Sequence, residues 1–113
     1  MIQSEREIDL ICMGRVAVDF YADQIHSPLE HAQSFSRYLG GCAGNISVGT
    51  SRLGLKSAMF SCVGTDDMGV FLRNQLQFEG VDTSLLRSTL DHLTGLVVLG
   101  GSPPGPFSSY FLS

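Results

Sequence analysis

Hydrophobic positions along this chain fall into short blocks separated by glycine, proline and charged residues. Ile8 to Met13 is an apolar run ended by Gly14 and predicts a buried strand. Val16 to Tyr21 predicts a second strand, and the stretch from Gln24 to Glu30, which contains Pro28, reads as a loop. Phe35 to Leu39 predicts a strand that leads into Gly40-Gly41. The spacing then becomes helical from Gly44 to Leu53, with Ile46, Gly49, Thr50 and Leu53 on one face and Gly54 as the terminating residue. Ala58 to Val63 predicts the next strand. Asp66 suits the N-cap of a second helix, with Met68, Phe71, Leu72 and Leu76 at helical spacing and Gly80 at its end. Leu85-Leu86 is too short to assign, and Leu96 to Leu99 reads as a strand. Strands alternating with helices predict parallel pairing and right-handed crossovers, hence an α/β fold class. No internal repeat is evident.

Composition narrows the function classes. A chain of 113 residues is one domain at most, and its 43% hydrophobic content marks it as globular rather than disordered. Charged residues make up 16%, below the usual quarter, which points to much buried surface or to a partner surface. A formal net charge of −4 leaves no electrostatic footprint for nucleic acid. Lys and Arg are scattered, so no basic membrane-binding face is expected either. The polar segment Met1 to Glu7 does not resemble a signal peptide, and no apolar run approaches the ~20 residues that cross a bilayer. A cytoplasmic location is expected. Cys12, Cys42 and Cys62 have no metal-type spacing; Cys12 and Cys62 read as buried thiols, and Cys42 lies in the glycine turn.

The candidate chemistry centres on Gly40-Gly41-Cys42-Ala43-Gly44-Asn45-Ile46-Ser47, followed by Gly54 and Gly64. Adjacent glycines allow positive φ and close approach to the main chain. A glycine turn feeding a helix N-terminus points backbone N–H groups outward. Asn45 both donates and accepts hydrogen bonds, which suits a hydroxyl-rich ligand. Many such turns only connect a strand to a helix. No Gly-Lys-Ser/Thr occurs, and the dinucleotide fingerprint does not fit, so both common nucleotide loops are excluded. Asp19 ends a strand-like run where open α/β sheets place ligands. Taken alone, a strand-end Asp is as well read as a turn-former or a solvated charge. Asp66 reads as a cap. His26, His31 and His92 lie in polar loops without acidic or nucleophilic companions.

The run from the double glycine through Asn45 and Ser47 to Gly54 and Gly64 resembles the first of two signatures of the PfkB carbohydrate kinases, which have the ribokinase-like fold. Cys12 to Asp19 and Tyr38 to Ala58 are similar in particular to members that act on a sugar acid. The resemblance covers residues 8 to 100. It implies a partial kinase domain over 1–113, holding the first part of a Rossmann-type sheet and a small β lid segment at about 19–39. It implies that Asp19, Gly40, Gly41 and Asn45 bind a small-molecule sugar or sugar acid, Asp19 by accepting hydrogen bonds from hydroxyls. ATP and Mg2+ would serve the intact enzyme. The second signature, which carries the catalytic base, does not occur before Ser113, so no catalytic residue is expected here and the chain alone is expected to be inactive. Exposed lid strands imply a possible homodimer. Cys42 departs from the family, whose ribokinase-type members often carry Lys there.

A different class stays open: a non-catalytic module binding sugar or a partner protein, or an inactive remnant. After Gly100 the composition turns to Gly, Ser and Pro and the resemblance fades. Codons for Phe107 to Ser113, read one nucleotide later, can spell Phe-Pro-Leu-Ile-Phe-Tyr-Arg, which looks like the family's next strand. The tail 101–113 is therefore either a frameshifted addition or a natural Pro-Gly loop with a short strand.

Overall fold

The computed structural model describes residues 7–100 and 108–112. Nine elements follow in order: β1 (Leu10–Met13), β2 (Ala17–Ala22), β3 (Phe35–Gly40), α1 (Cys42–Arg52), β4 (Ser57–Gly64), α2 (Asp67–Phe78), β5 (Leu86–Thr89), β6 (Leu96–Gly100) and β7 (Ser108–Leu112). A short 3-10 turn, Leu29–His31, lies between β2 and β3.

The strands form two sheets. The main sheet has the order β1-β4-β5 and is wholly parallel, from Leu10 opposite Ser57 to Met13 opposite Phe60, and from Ser61 opposite Leu86 to Gly64 opposite Thr89. The helices α1 and α2 make its crossovers, as the alternating pattern predicts. The second sheet has the order β3-β2-β6-β7. Here β2 and β3 are antiparallel, because the loop between them carries no crossover helix and the chain turns straight back. β6 joins parallel to β2 and antiparallel to β7. The architecture is α/β with a separate β lid. The lid draws on β6 and β7 as well as the segment 19–39. Of the tail, Ser108–Leu112 is described and forms β7; 101–107 and 113 lie outside the described residues.

The core lies between the main sheet and its helices. Cys12, Val16, Val18, Ala43, Met59, Val63, Leu72, Leu76, Val81 and Leu86 form one buried cluster. α2 buries Leu72 and Leu76 fully, with Met68 and Phe71 packed at the margin, as its spacing predicts. α1 forms where expected but with another face inward. Ile46 is 54% and Leu53 85% exposed, while Ala43, Gly44 and Ser47 are buried. The reason is close approach: a Cβ at Gly44 would lie 2.9 Å from the Val16 side chain and 3.2 Å from that of Leu39. Small residues, not large ones, fit that distance. The buried Ser47 hydroxyl is satisfied by donating to the Gly44 carbonyl at 2.8 Å. Both helices end in the same double bond pattern. Leu55 and Gly54 donate to the Thr50 and Ser51 carbonyls, and Val81 and Gly80 to those of Leu76 and Gln77.

β5 escaped the sequence pattern because only Leu86 of its four residues is buried; Arg87 and Ser88 face solvent on a sheet edge. One flank of the main sheet is open, with Met13 and Phe60 directly opposite each other and both exposed, and Ile11 beside them. Cys62 is exposed on β4 rather than buried, while Cys12 is buried as expected. The β4 alternation sends Cys62 away from the side that Val63 packs.

Candidate functional site

β2 alternates across the lid sheet, so Asp19, Tyr21 and Asp23 share one face. β3 pairs with it in the register Asp19 opposite Tyr38 and Tyr21 opposite Ser36, which puts Ser36, Tyr38 and Gly40 on that same face. The start of α1 adds Asn45. Together Asp19, Tyr21, Ala22, Asp23, Ile25, Ser36, Tyr38, Leu39 and Asn45 line an open cleft of about 580 Å3. That volume is within the range of small-molecule sites.

The four residues singled out from sequence have distinct places. Asp19 and Asn45 line the cleft. Gly40 is buried opposite Ala17, and a side chain there would run into the Asp19 carboxylate, so its bare α-carbon makes room for that group. Gly41 caps α1 with φ +90°, a conformation open to glycine, and its α-carbon packs on the protein itself: an added Cβ would be 2.5 Å from the Arg15 carbonyl. Neither glycine is among the cleft-lining residues. The helix N-terminus is also partly occupied, because the Gly44 N–H donates to the Arg15 carbonyl at 3.2 Å.

Electrostatics separates the two carboxylates of the cleft. Asp19 is half-buried, and its carboxylate makes no hydrogen bond or ion pair among the described residues. Burial pushes its pKa above the ordinary carboxylate range. Asp23 accepts from the Ser36 hydroxyl at 2.6 Å; this bond first, then one from Ser34, holds its pKa below that range. The acceptor capacity of Asp19 is thus left open among the described residues, and Asp23 is spent on the lid's own hairpin. The residues Tyr21, Ile25, Ser36 and Tyr38 were not singled out from sequence. Following the two-residue alternation outward from Asp19 would have found Tyr21.

A second polar knot fixes the lid to the main sheet. Asp66 caps α2 by accepting from the Gly69 N–H at 2.9 Å, as its position predicts. Its other oxygen accepts from the Thr94 N–H, also at 2.9 Å, and the buried Thr94 hydroxyl accepts from the Gly64 N–H at 2.9 Å. Burial alone would raise the Asp66 pKa, but these donors outweigh it and hold the pKa below the ordinary range. A side chain at Gly64 would meet the Asp66 carboxylate, and one at Gly69 would meet the Gly64 carbonyl. Gly64 of the signature run, together with Gly69, therefore serves this knot, which joins the end of β4 to the entry of β6.

A family model described as "pfkB family carbohydrate kinase" matches residues 7–104. The chain belongs to the pfkB family. Among curated relatives, the 5-dehydro-2-deoxygluconokinase of Clostridium tetani is 45% identical over 80 residues, covering 71% of this chain and 24% of the relative. Among solved structures, a PfkB protein from Polaromonas sp. JS666 superposes with a TM-score of 0.85 at 33% identity, covering 92% of this chain and 35% of that one. A sugar kinase from Pyrococcus horikoshii in complex with ATP superposes at 0.82 with 30% identity, covering 90% and 34%. The chain thus spans about a quarter to a third of the length of these pfkB relatives. Its fold is ribokinase-like. Among the described residues no three His, Cys, Asp or Glu side chains are grouped to hold a metal ion. No described helix is long and apolar enough to cross a membrane.

Proposed function

We propose that this chain is the substrate-side part of an ATP-dependent carbohydrate kinase that phosphorylates a hydroxyl of a sugar or sugar acid, with 5-dehydro-2-deoxy-D-gluconate as the substrate. One observation carries the reading. Asp19 is a half-buried carboxylate without a protein partner, facing the same cleft as the Asn45 amide. A carboxylate accepts from hydroxyls, and an amide both donates and accepts, so the pair addresses neighbouring hydroxyls on one ligand. Gly40 and Gly41 act beneath them, Gly40 by clearing space for the carboxylate and Gly41 by bringing α1 close to the β1–β2 link. The relatives named for 5-dehydro-2-deoxygluconokinase support the choice of substrate.

Phosphoryl transfer needs a base for the hydroxyl proton, donors for the moving phosphoryl and a nucleotide site. No step of the transfer is assigned to this chain. In this reading residues 7–100 form the first part of a larger domain, whose remainder holds ATP and covers the open flank at Met13 and Phe60. Among the described residues no strand pairs with the outer edge of β3, and in this reading that edge is where a second copy of the chain would add.

Isothermal titration of the chain with sugar acids, with and without ATP, tests this. Asp19→Asn and Asn45→Ala should each weaken binding by about one to two orders of magnitude, the scale of a charge-assisted hydrogen bond. ATP should leave the sugar affinity unchanged. If both variants keep full affinity, the two residues are structural and the site is elsewhere. Phosphate transfer by the chain alone would overturn the assignment of catalysis to the remainder.

A further inference from the structure

Tyr21 and Tyr38 stand diagonally across β2 and β3 on the cleft face of the lid. Their rings meet edge to face, with centroids 5.6 Å apart and planes at 74°. They remain 44% and 55% exposed, and neither phenol has a hydrogen-bond partner among the described residues. Exposed Ile25 continues the same wall. Polar groups flank the tyrosine pair at both ends: Asp19 and Asn45 next to Tyr38 and Leu39, and next to Tyr21 the Asp23 and Ser36 side chains, which are taken up by their own hydrogen bond. Such a wall fits a ligand with one hydrocarbon face and one hydroxylated edge. It does not fit a purely ionic ligand.

We infer that Tyr21 and Tyr38 form an aromatic platform for the carbon face of a small polyhydroxylated ligand whose hydroxyls turn toward Asp19 and Asn45. The inference rests on the reading of the cleft as a sugar site. The charge of the cleft gives the ligand a direction. Among the described residues its ionisable lining groups besides the tyrosines are Asp19 and Asp23, both carboxylates, with no Lys or Arg. A carboxylate on the ligand would be repelled here, so the neutral polyol stretch of a sugar acid lies on the platform and its acid end points away. The tyrosines are therefore specificity residues for the hydroxylated end.

The composition supplies the reporter. The chain has no Trp and three Tyr, namely Tyr21, Tyr38 and Tyr110. With Tyr110→Phe as background, tyrosine emission reads the platform alone. Sorbitol, a neutral polyol, and D-gluconate, its singly charged acid analogue, should each give a saturable change, sorbitol binding at least as tightly. Tyr21→Ala and Tyr38→Ala should each weaken both by about tenfold, read by calorimetry, and the Phe variants should stay within about twofold, since the ring face and not the hydroxyl is used. Circular dichroism melts matched to the parent show that the Ala variants are folded. Binding that falls with Asp19→Asn but ignores the Ala variants overturns the platform and leaves the proposed function standing. Binding that falls with the Ala variants but ignores both Asp19→Asn and Asn45→Ala overturns the proposed function and, with it, the direction given to the ligand's hydroxyls. A folded parent that binds neither probe overturns both. D-gluconate binding about tenfold tighter than sorbitol overturns the direction and with it the platform as drawn. If sedimentation shows the Ala variants dissolving a dimer with probe affinity unchanged, the tyrosines are a protein interface and the platform is overturned.

Discussion

Between the main sheet and its helices Met59 of β4 and Leu72 and Leu76 of α2 are fully buried, whereas on the lid Tyr21, Phe35 and Tyr38 stay about half exposed although their sheet has more strands. The difference follows from what covers each. α1 and α2 close one face of the main sheet and exclude water from it, so apolar area there is converted into stability. The cleft face of the lid has only the start of α1 beside it, and its half-buried Asp19 carries a desolvation penalty without a partner. The main sheet holds the molecule together. The lid keeps its chemistry available. A substitution should then change stability or ligand binding according to the sheet on which it falls.

The sharpest break of that division is in the core. Leu72→Ala or Leu76→Ala removes a fully buried side chain and should destabilise by about 2–5 kcal/mol, read as a lower midpoint in urea. Ligand binding should be lost only in step with unfolding. A Leu72→Ala chain with an unchanged midpoint would mean that α2 is not part of the stabilising layer.

Asp19→Asn tests the other side and should have the opposite signature. The native pKa of Asp19 lies above its ordinary value because burial disfavours the ion. Its contribution to stability is whole below the ordinary carboxylate range and is lost as pH rises through the raised value. The amide has no such titration. At neutral pH the variant should melt at the same temperature or higher while losing about one to two orders of sugar affinity. A lower Tm at neutral pH together with normal affinity would make Asp19 a structural residue.

The two sheets were also unequally legible in the sequence. The main sheet follows simple periodicity: β1, β4 and the stripe of α2 with Gly80 lie where the apolar spacing puts them. β5 does not show because a strand with one buried residue carries no pattern. The inward face of α1 does not show either, since a stripe of Ala43, Gly44 and Ser47 signals close packing rather than hydrophobicity. In the lid the strands are readable but their pairing is not. The antiparallel turn from β2 to β3 depends on a loop without a helix, and the return of β6 to β2 is a long-range contact. Read alone, Asp19 looks like one more strand-end Asp, whereas it lies inside β2 with paired residues on both sides of it. The family resemblance, not its local sequence, singled it out, and the register with Tyr38 and Gly40 is what gives it a cleft.

The knot that joins the sheets should respond to pH in the sense opposite to Asp19. Donors from Thr94 and Gly69 outweigh burial and depress the Asp66 pKa. Its contribution is therefore present above the ordinary carboxylate range and is lost as pH falls through the depressed value. Asp66→Ala should cost about 1 kcal/mol at neutral pH, the scale of a lost helix cap, and the difference from the parent should shrink in acid. A chemical-denaturation series against pH checks this. A penalty that persists unchanged in acid would assign the loss to packing rather than to the carboxylate.

The smallest effect is expected at the far ends of the helices, away from both the core and the cleft. Arg52 of α1 donates through Nε at 2.8 Å and through its terminal nitrogen at 2.6 Å to the two carboxylate oxygens of Glu79, just past α2. This pair depresses the Glu79 pKa, so its contribution is present above the ordinary range and is lost as acid protonates Glu79. Arg52 is exposed and solvent screens the pair, so Arg52→Ala should lower Tm only slightly. The loss should fade as ionic strength rises and the Debye length falls. The helices remain tied without it, because the Ser51 hydroxyl donates to the Glu79 carbonyl at 2.7 Å. Melts of parent and variant at low and high salt test the point. A large salt-independent loss would show that the C-terminal ends of α1 and α2 depend on this pair for their packing, and the main sheet's stability would then rest on more than its buried apolar layer.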